Sequence, residues 1–207
     1  MKIGGWTCAA LLMASVAGEA LAQTRSGTTL VLVPGAGGAV PSDFLMRNQR
    51  NFQAYGLSTV VATSASQAAA AANQIAAQGG RPVLVGMSAG TPKVAQAVAQ
   101  GARAAGLVLV AGSLVPNPKG VSVIQALGSP ARLPPTLVVH HRQDECRLTP
   151  PEAVGSFVGW SGGRARVSWI DGGGGGDGRP CGPMSAHGFV GQDNQAVAAI
   201  ASFARSQ

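Results

Sequence analysis

The chain has 207 residues, 46% of them apolar and only 11% charged, with a formal net charge of +7 at pH 7. That length suits one domain with a sizeable core, and so much apolar side chain beside so little charge excludes an intrinsically disordered chain. The cations are dispersed singly (Arg25, Arg47, Arg81, Arg103, Arg132, Arg205) and aromatic residues make up 4%, so a nucleic-acid partner, which needs clustered charge and stacking platforms, is not expected.

The N-terminus reads as a secretory signal peptide over residues 1–22. Lys2 supplies the positive end, Ala9 to Ala17 form the apolar stretch, and Ala20-Leu21-Ala22 offers a small-x-small cleavage site. The apolar stretch is short for a membrane anchor and is interrupted by Gly18 and Glu19. The expectation is a single domain over 23–207, periplasmic or secreted, with no stable membrane insertion after cleavage. Of the three cysteines, Cys8 leaves with the signal, and Cys146 and Cys181 remain. In an oxidising compartment such a pair points to a disulfide, with two free thiols as the alternative.

Six short, β-branched, apolar runs follow in the remaining chain: Thr29 to Val33, Ser58 to Ala62, Pro82 to Gly86, Leu107 to Ala111, Thr136 to His140 and Val167 to Ile170. Continuous apolar runs suit strands covered on both faces, as in a parallel sheet. Helix candidates lie between them. One is capped by Ser42 or Asp43 and runs to about Tyr55, with Phe44, Asn48, Phe52 and Tyr55 along one side. Ala65 to Ala77 stops at Gly79-Gly80. Thr91-Pro92 opens a third, ending between Arg103 and Gly106, and Asp193 to Ala204 forms the last. The alternation predicts an α/β architecture: a doubly wound, mostly parallel sheet of about six strands with helices on both faces. Gly172 to Gly176 reads as a low-complexity, mobile loop.

The chemistry concentrates after the strands. Pro34-Gly35-Ala36-Gly37-Gly38 follows the first; small residues there let the backbone approach a substrate, and Ala36 is the favoured amide donor, with Gly35 and Gly37 as neighbours in contention. It is a poor dinucleotide fingerprint, because Val40 stands where a third small residue belongs and the second strand ends without an acid. Gly86-Met87-Ser88-Ala89-Gly90 has the form G-x-S-x-G between a strand and a helix, the setting of a nucleophile elbow. Ser88 is then the candidate nucleophile and the Ala89 N–H a second oxyanion donor; a plain capping turn is the rival reading. A serine hydroxyl needs a base to take its proton. His187, late in the chain, is the candidate, with Asp144 after the fifth strand as its acid, giving the order serine, acid, histidine. Asp171 is the second choice for the acid; a turn or an ion pair with Arg142 or Arg147 is the rival role for Asp144, and His140 and His141 read as packing or rim residues. A Cys146–Cys181 bridge would tie the acid loop to the histidine loop.

Four segments together resemble the α/β-hydrolase superfamily: LVLVPGAGG at 30–38, VLVGMSAGT at 83–91, TLVVHHRQDEC at 136–146 and CGPMSAHGF at 181–189. They span nearly the whole chain after the signal. The resemblance implies a minimal version of that fold and hydrolysis of a small-molecule or lipid-like ester, or a related acyl bond, with no metal or organic cofactor. It departs from many relatives in having Pro34 where they carry histidine, and in lacking room for a lid domain and for the first two strands of the full fold. A non-catalytic binding protein and a transacylase are the alternative functions.

Overall fold

The structure, a computed structural model, describes residue 1 and residues 27–118, 120–173, 176 and 178–207. The body of the expected signal peptide, and Gly174 and Gly175 of the glycine tract, lie outside the described residues. The elements in chain order are β1 (Thr28–Val33), α1 (Phe44–Arg47), α2 (Gln49–Ala54), β2 (Ser58–Val61), α3 (Ala65–Ala77), β3 (Arg81–Met87), α4 (Thr91–Ala99), β4 (Gly106–Val110), α5 (Val123–Leu127), β5 (Thr136–His141), α6 (Ala153–Trp160), β6 (Ala165–Ile170) and α7 (Asp193–Arg205).

The six strands form one sheet in the order β2-β1-β3-β4-β5-β6, and every pairing is parallel. Side chains alternate across a strand, so each apolar run feeds two cores. Leu30 and Leu32 of β1 pack with Phe44, Phe52 and Ile200, beneath α1, α2 and α7. Val31 and Val33 pack with Ala68, Ala72 and Val94, beneath α3 to α6. All four β1 residues are completely buried. This explains why β1 shows no polar alternation in sequence: neither of its faces meets water. Removing so many large aliphatic side chains from water, at about 1.5–3 kcal/mol each, drives the fold.

Local sequence sets the helix ends. Ser64 caps α3 by accepting the Gln67 N–H, and Gly79 beyond its end takes φ 78°. The expected helix from 43 to 55 is instead broken at Asn48 into α1 and α2. Asn48 leaves helical geometry (φ −99°, ψ 7°), and its side-chain amide donates to Phe44 O at 2.9 Å. Of the residues expected along one side, Phe44, Asn48 and Phe52 are buried and Tyr55 is exposed. Helix α4 ends at Ala99, short of the predicted Arg103, because Gly101 turns the chain at φ 91°. Gly106, predicted to end that helix, begins β4, where a Cβ would stand 3.0 Å from the Phe203 ring.

From β1 the chain winds out to β2 and then back across to β3. The direction of winding therefore reverses between β1 and β3, and the crevice beyond their carboxyl ends is where an open α/β sheet presents a ligand site. Among the described residues no helix is long and apolar enough to cross a membrane.

Candidate active site

Strand β3 runs straight into a tight turn at Ser88, which adopts φ 50°, a left-handed conformation that costs a non-glycine residue roughly 1–2 kcal/mol. The turn Ser88–Gly90 passes directly into α4. Two glycines make it possible. A Cβ on Gly86 would lie 2.7 Å from Gly90 O, and one on Gly90 would lie 2.2 Å from Val33 O. Strand, turn and helix thus approach each other more closely than any side chain permits. The Thr91 hydroxyl donates to Ser88 O at 2.7 Å and accepts the Ser113 N–H at 3.0 Å, fastening the elbow to the loop after β4.

The loop after β1 passes beside this turn, with the Gly35 Cβ position 3.5 Å from Ser88 Cβ. Asp43 shapes the loop from within. Its Oδ1 caps α1 through the Leu45 N–H at 2.9 Å, and its Oδ2 accepts the Gly35 N–H at 3.0 Å. Gly35 is therefore spent as a donor. Ala36 and Gly37 remain, both lining the same cleft as Ser88, and the Ala36 N–H makes no backbone hydrogen bond among the described residues. The Ala89 N–H lies in the first turn of the Ser88–Ala99 run, where backbone donors have no partner four residues back.

Asp144 and His187 come together across 43 residues of sequence: His187 Nδ1 lies 2.9 Å from Asp144 Oδ2. Both are buried. Asp144 Oδ1 accepts the Cys146 N–H at 2.9 Å. The Thr149 hydroxyl stands 3.4 Å from Asp144 Oδ2 and 3.2 Å from His187 Nδ1, buttressing the pair. Burial works to raise the Asp144 pKa. The His140 and His187 imidazoles and the Cys146 N–H outweigh it and hold the carboxyl at about 2, below its ordinary 3.8. Since the folded-state value is the lower one, the ionised carboxylate contributes stability, on the order of 2 kcal/mol, above pH 3.8, and that contribution is lost as pH falls through about 2. In urea unfolding, the stability gap between wild type and Asp144→Asn should narrow steadily between about pH 4 and about pH 2; a gap independent of pH there would contradict this.

The other candidates are placed elsewhere. Asp171 is exposed and pairs with Arg142 at 3.2 Å. His141 is buried and held by backbone on both nitrogens: Nδ1 accepts the Gln143 N–H at 3.1 Å, and Nε2 then carries the proton and donates to Gly172 O at 2.8 Å. His140 is fully buried, edge-on to Trp169, with Nε2 3.3 Å from Asp144 Oδ2. Sequence reasoning placed neither His140 nor Thr149 against the acid. Spacing offered a hint for His140, since residues 140 and 144 flank one short turn, whereas nothing in the sequence marks Thr149.

Cys146 and Cys181, 35 positions apart in sequence, form a disulfide. Closing a loop of that size contributes about 4 kcal/mol in the chain-entropy account, and it links the segment carrying Asp144 to the one carrying His187. The strand ends, both loops and the bridge enclose a cleft of about 500 Å³ that Ser88, Ala36, Ala89 and His187 line together with the apolar Val121 and Leu148.

No family model and no curated protein matches the chain by sequence. Solved structures do. A Xanthomonas campestris protein assigned to the alpha/beta hydrolase superfamily superposes with a TM-score of 0.62 at 16% identity, over 87% of this chain and 99% of the other. An esterase from Pyrococcus furiosus gives 0.64 at 10% identity, over 88% and 84%. The esterase domain of a Rhodothermus marinus protein gives 0.62 at 10% identity, over 90% and 89%. At such identities the likeness is one of architecture, and six parallel strands with helices on both faces agree with it throughout: the chain has the α/β-hydrolase fold.

Proposed function

We propose that the protein is an exported serine hydrolase that cleaves a carboxylic ester, or a related acyl bond, through an acyl-enzyme on Ser88. The observation that carries this reading is the buried His187–Asp144 contact of 2.9 Å, in a cleft that a serine on a strained strand-to-helix turn also lines. With Nδ1 committed to the carboxylate, Nε2 is the ring nitrogen left to take the Ser88 proton. Asp144 fixes that tautomer and stabilises the imidazolium as it forms. Ser88 attacks the acyl carbon, and the oxygen that gains negative charge is met by the Ala36 and Ala89 N–H groups. His187 then protonates the leaving alcohol, and in the second stage it activates the water that releases the acid.

The apolar lining of the cleft favours a small or lipid-like ester, and the Cys146–Cys181 bridge suits an oxidising compartment reached by cleavage of residues 1–22. The test is a panel of p-nitrophenyl esters of increasing acyl length. The expected result is a burst of nitrophenol approaching one equivalent, followed by steady turnover on at least part of the series. A folded protein that releases nitrophenol from none of them would favour the binding-protein reading.

A further inference from the structure

His140 has no part in the mechanism above, yet its position is an unusual one for a polar side chain. It ends in a fully buried imidazole. The ring packs against Trp169 of β6, centroids 6.0 Å apart and edge-on. Neither ring nitrogen makes a hydrogen bond among the described residues. Buried polar groups are seldom left so, because each lost partner costs free energy that water would have supplied. The polar atom within reach is Asp144 Oδ2, 3.3 Å from Nε2, a contact that falls just short of hydrogen-bond geometry. That same oxygen receives His187 Nδ1 at 2.9 Å. His140 and His187 therefore address one carboxylate oxygen, the first from inside the sheet and the second from the cleft.

We infer that His140 is a positioning residue: a second imidazole whose Nε2–H faces Asp144 and holds the carboxylate in the orientation that His187 requires. The inference rests on the Ser88–Asp144–His187 reading. The physical need is specific. Asp144 sits on a short turn after β5, and its Oδ1 is anchored by a single backbone N–H. The Thr149 hydroxyl reaches Oδ2 only at 3.4 Å. His140 Nε2, 3.3 Å from Oδ2, adds to that weak contact in keeping the oxygen turned toward His187. Two N–H groups converging on one oxygen fix it in place, and the His187 contact strengthens as positive charge develops on that ring during the reaction. Buttressing groups of this kind affect the chemical step without touching substrate. The tautomer is dictated as well. With a lone pair on Nε2 facing a carboxylate, the contact would be repulsive, so the proton belongs on Nε2 and the bare Nδ1 faces the apolar interior.

Two measurements test this. The first needs no variant. The chain has three histidines, so nitrogen-15 NMR of histidine-labelled protein can resolve each ring. His140 is expected in the Nε2–H form with a slowly exchanging proton; an Nδ1–H form would overturn the inference. The second compares His140→Phe, which keeps a flat ring and loses the donor, with His140→Gln, whose side-chain amide can reach the same point. For ester hydrolysis the Phe variant is expected to lose roughly tenfold or more in kcat with KM within about twofold of wild type, and the Gln variant to stay within about threefold in both. Wild-type kcat in the Phe variant, or an equal fall in both, would assign His140 to packing alone. Fluorophosphonate labelling of wild-type Ser88 separates the two levels of the argument. If wild type is not labelled, the triad reading fails; if it is labelled and the variants behave otherwise than stated, only the role of His140 fails.

Discussion

Replacing Ser88 with alanine is expected to lower turnover of an activated ester by about four orders of magnitude or more, with no loss of thermal stability. The magnitude follows from the division of labour. In the proposed mechanism the hydroxyl oxygen forms the acyl bond, so its removal leaves only binding and the oxyanion donors to act on water. Stability should be spared because the serine side chain contributes strain more than packing: residue 88 holds φ 50°. Ser88→Gly sharpens the test. It is equally unable to form an acyl-enzyme, yet it relieves the left-handed backbone and should raise stability by roughly 1 kcal/mol. A variant pair in which both activity and stability collapse would show that residue 88 is structural and that the reaction, if any, lies elsewhere.

A methyl group added at Gly90 is expected to do the opposite, destroying fold and function together. Its Cβ would stand 2.2 Å from Val33 O and 2.7 Å from Pro34 O. These are backbone atoms at the end of a completely buried strand, so they cannot swing aside as a side-chain tip could. Relief requires pulling β1 away from the elbow, which breaks the close approach of the Gly35 loop to Ser88. We expect Gly90→Ala to cost roughly 3 kcal/mol or more, or to prevent folding. The control is Gly155→Ala in α6, where nothing lies within 4 Å of the added carbon and the change should stabilise by up to about 1 kcal/mol through helix propensity. Equal melting temperatures for Gly90→Ala and wild type would mean that the turn is looser than described.

Much of this was legible in the sequence for identifiable reasons. Strands buried on both faces are written as unbroken apolar runs, so Leu30 to Val33 and Leu107 to Val110 announce themselves. The elbow was legible because the steric demand at residues 86 and 90 admits only glycine, and that demand leaves a mark in the sequence. Asp144 and His187 were candidates because each follows a recognisable strand in the order the resembled fold uses; the structure brings the two side chains into contact, and their catalytic roles belong to the proposal.

What stayed hidden depends on tertiary geometry. Asp43 was readable as a helix cap, but its second oxygen on the Gly35 N–H, which leaves Ala36 and Gly37 as the loop amides for the proposed oxyanion role, is set by a loop folding back over eight residues. The contacts of His140 and Thr149 with Asp144 arise where β5, the acid loop and the histidine loop meet. The break at Asn48 turns on a side-chain amide bonding to the carbonyl four residues earlier, a competition that helix propensity does not register.

The proposed mechanism requires that the Ser88 hydroxyl be activated by the His187–Asp144 pair at the carboxyl edge of the sheet. Its most direct test is labelling of the intact protein with a fluorophosphonate, followed by mass spectrometry of its peptides. One adduct per chain is expected, located on Ser88, and none in His187→Ala. An unlabelled wild-type protein, or an adduct on another residue, would contradict it.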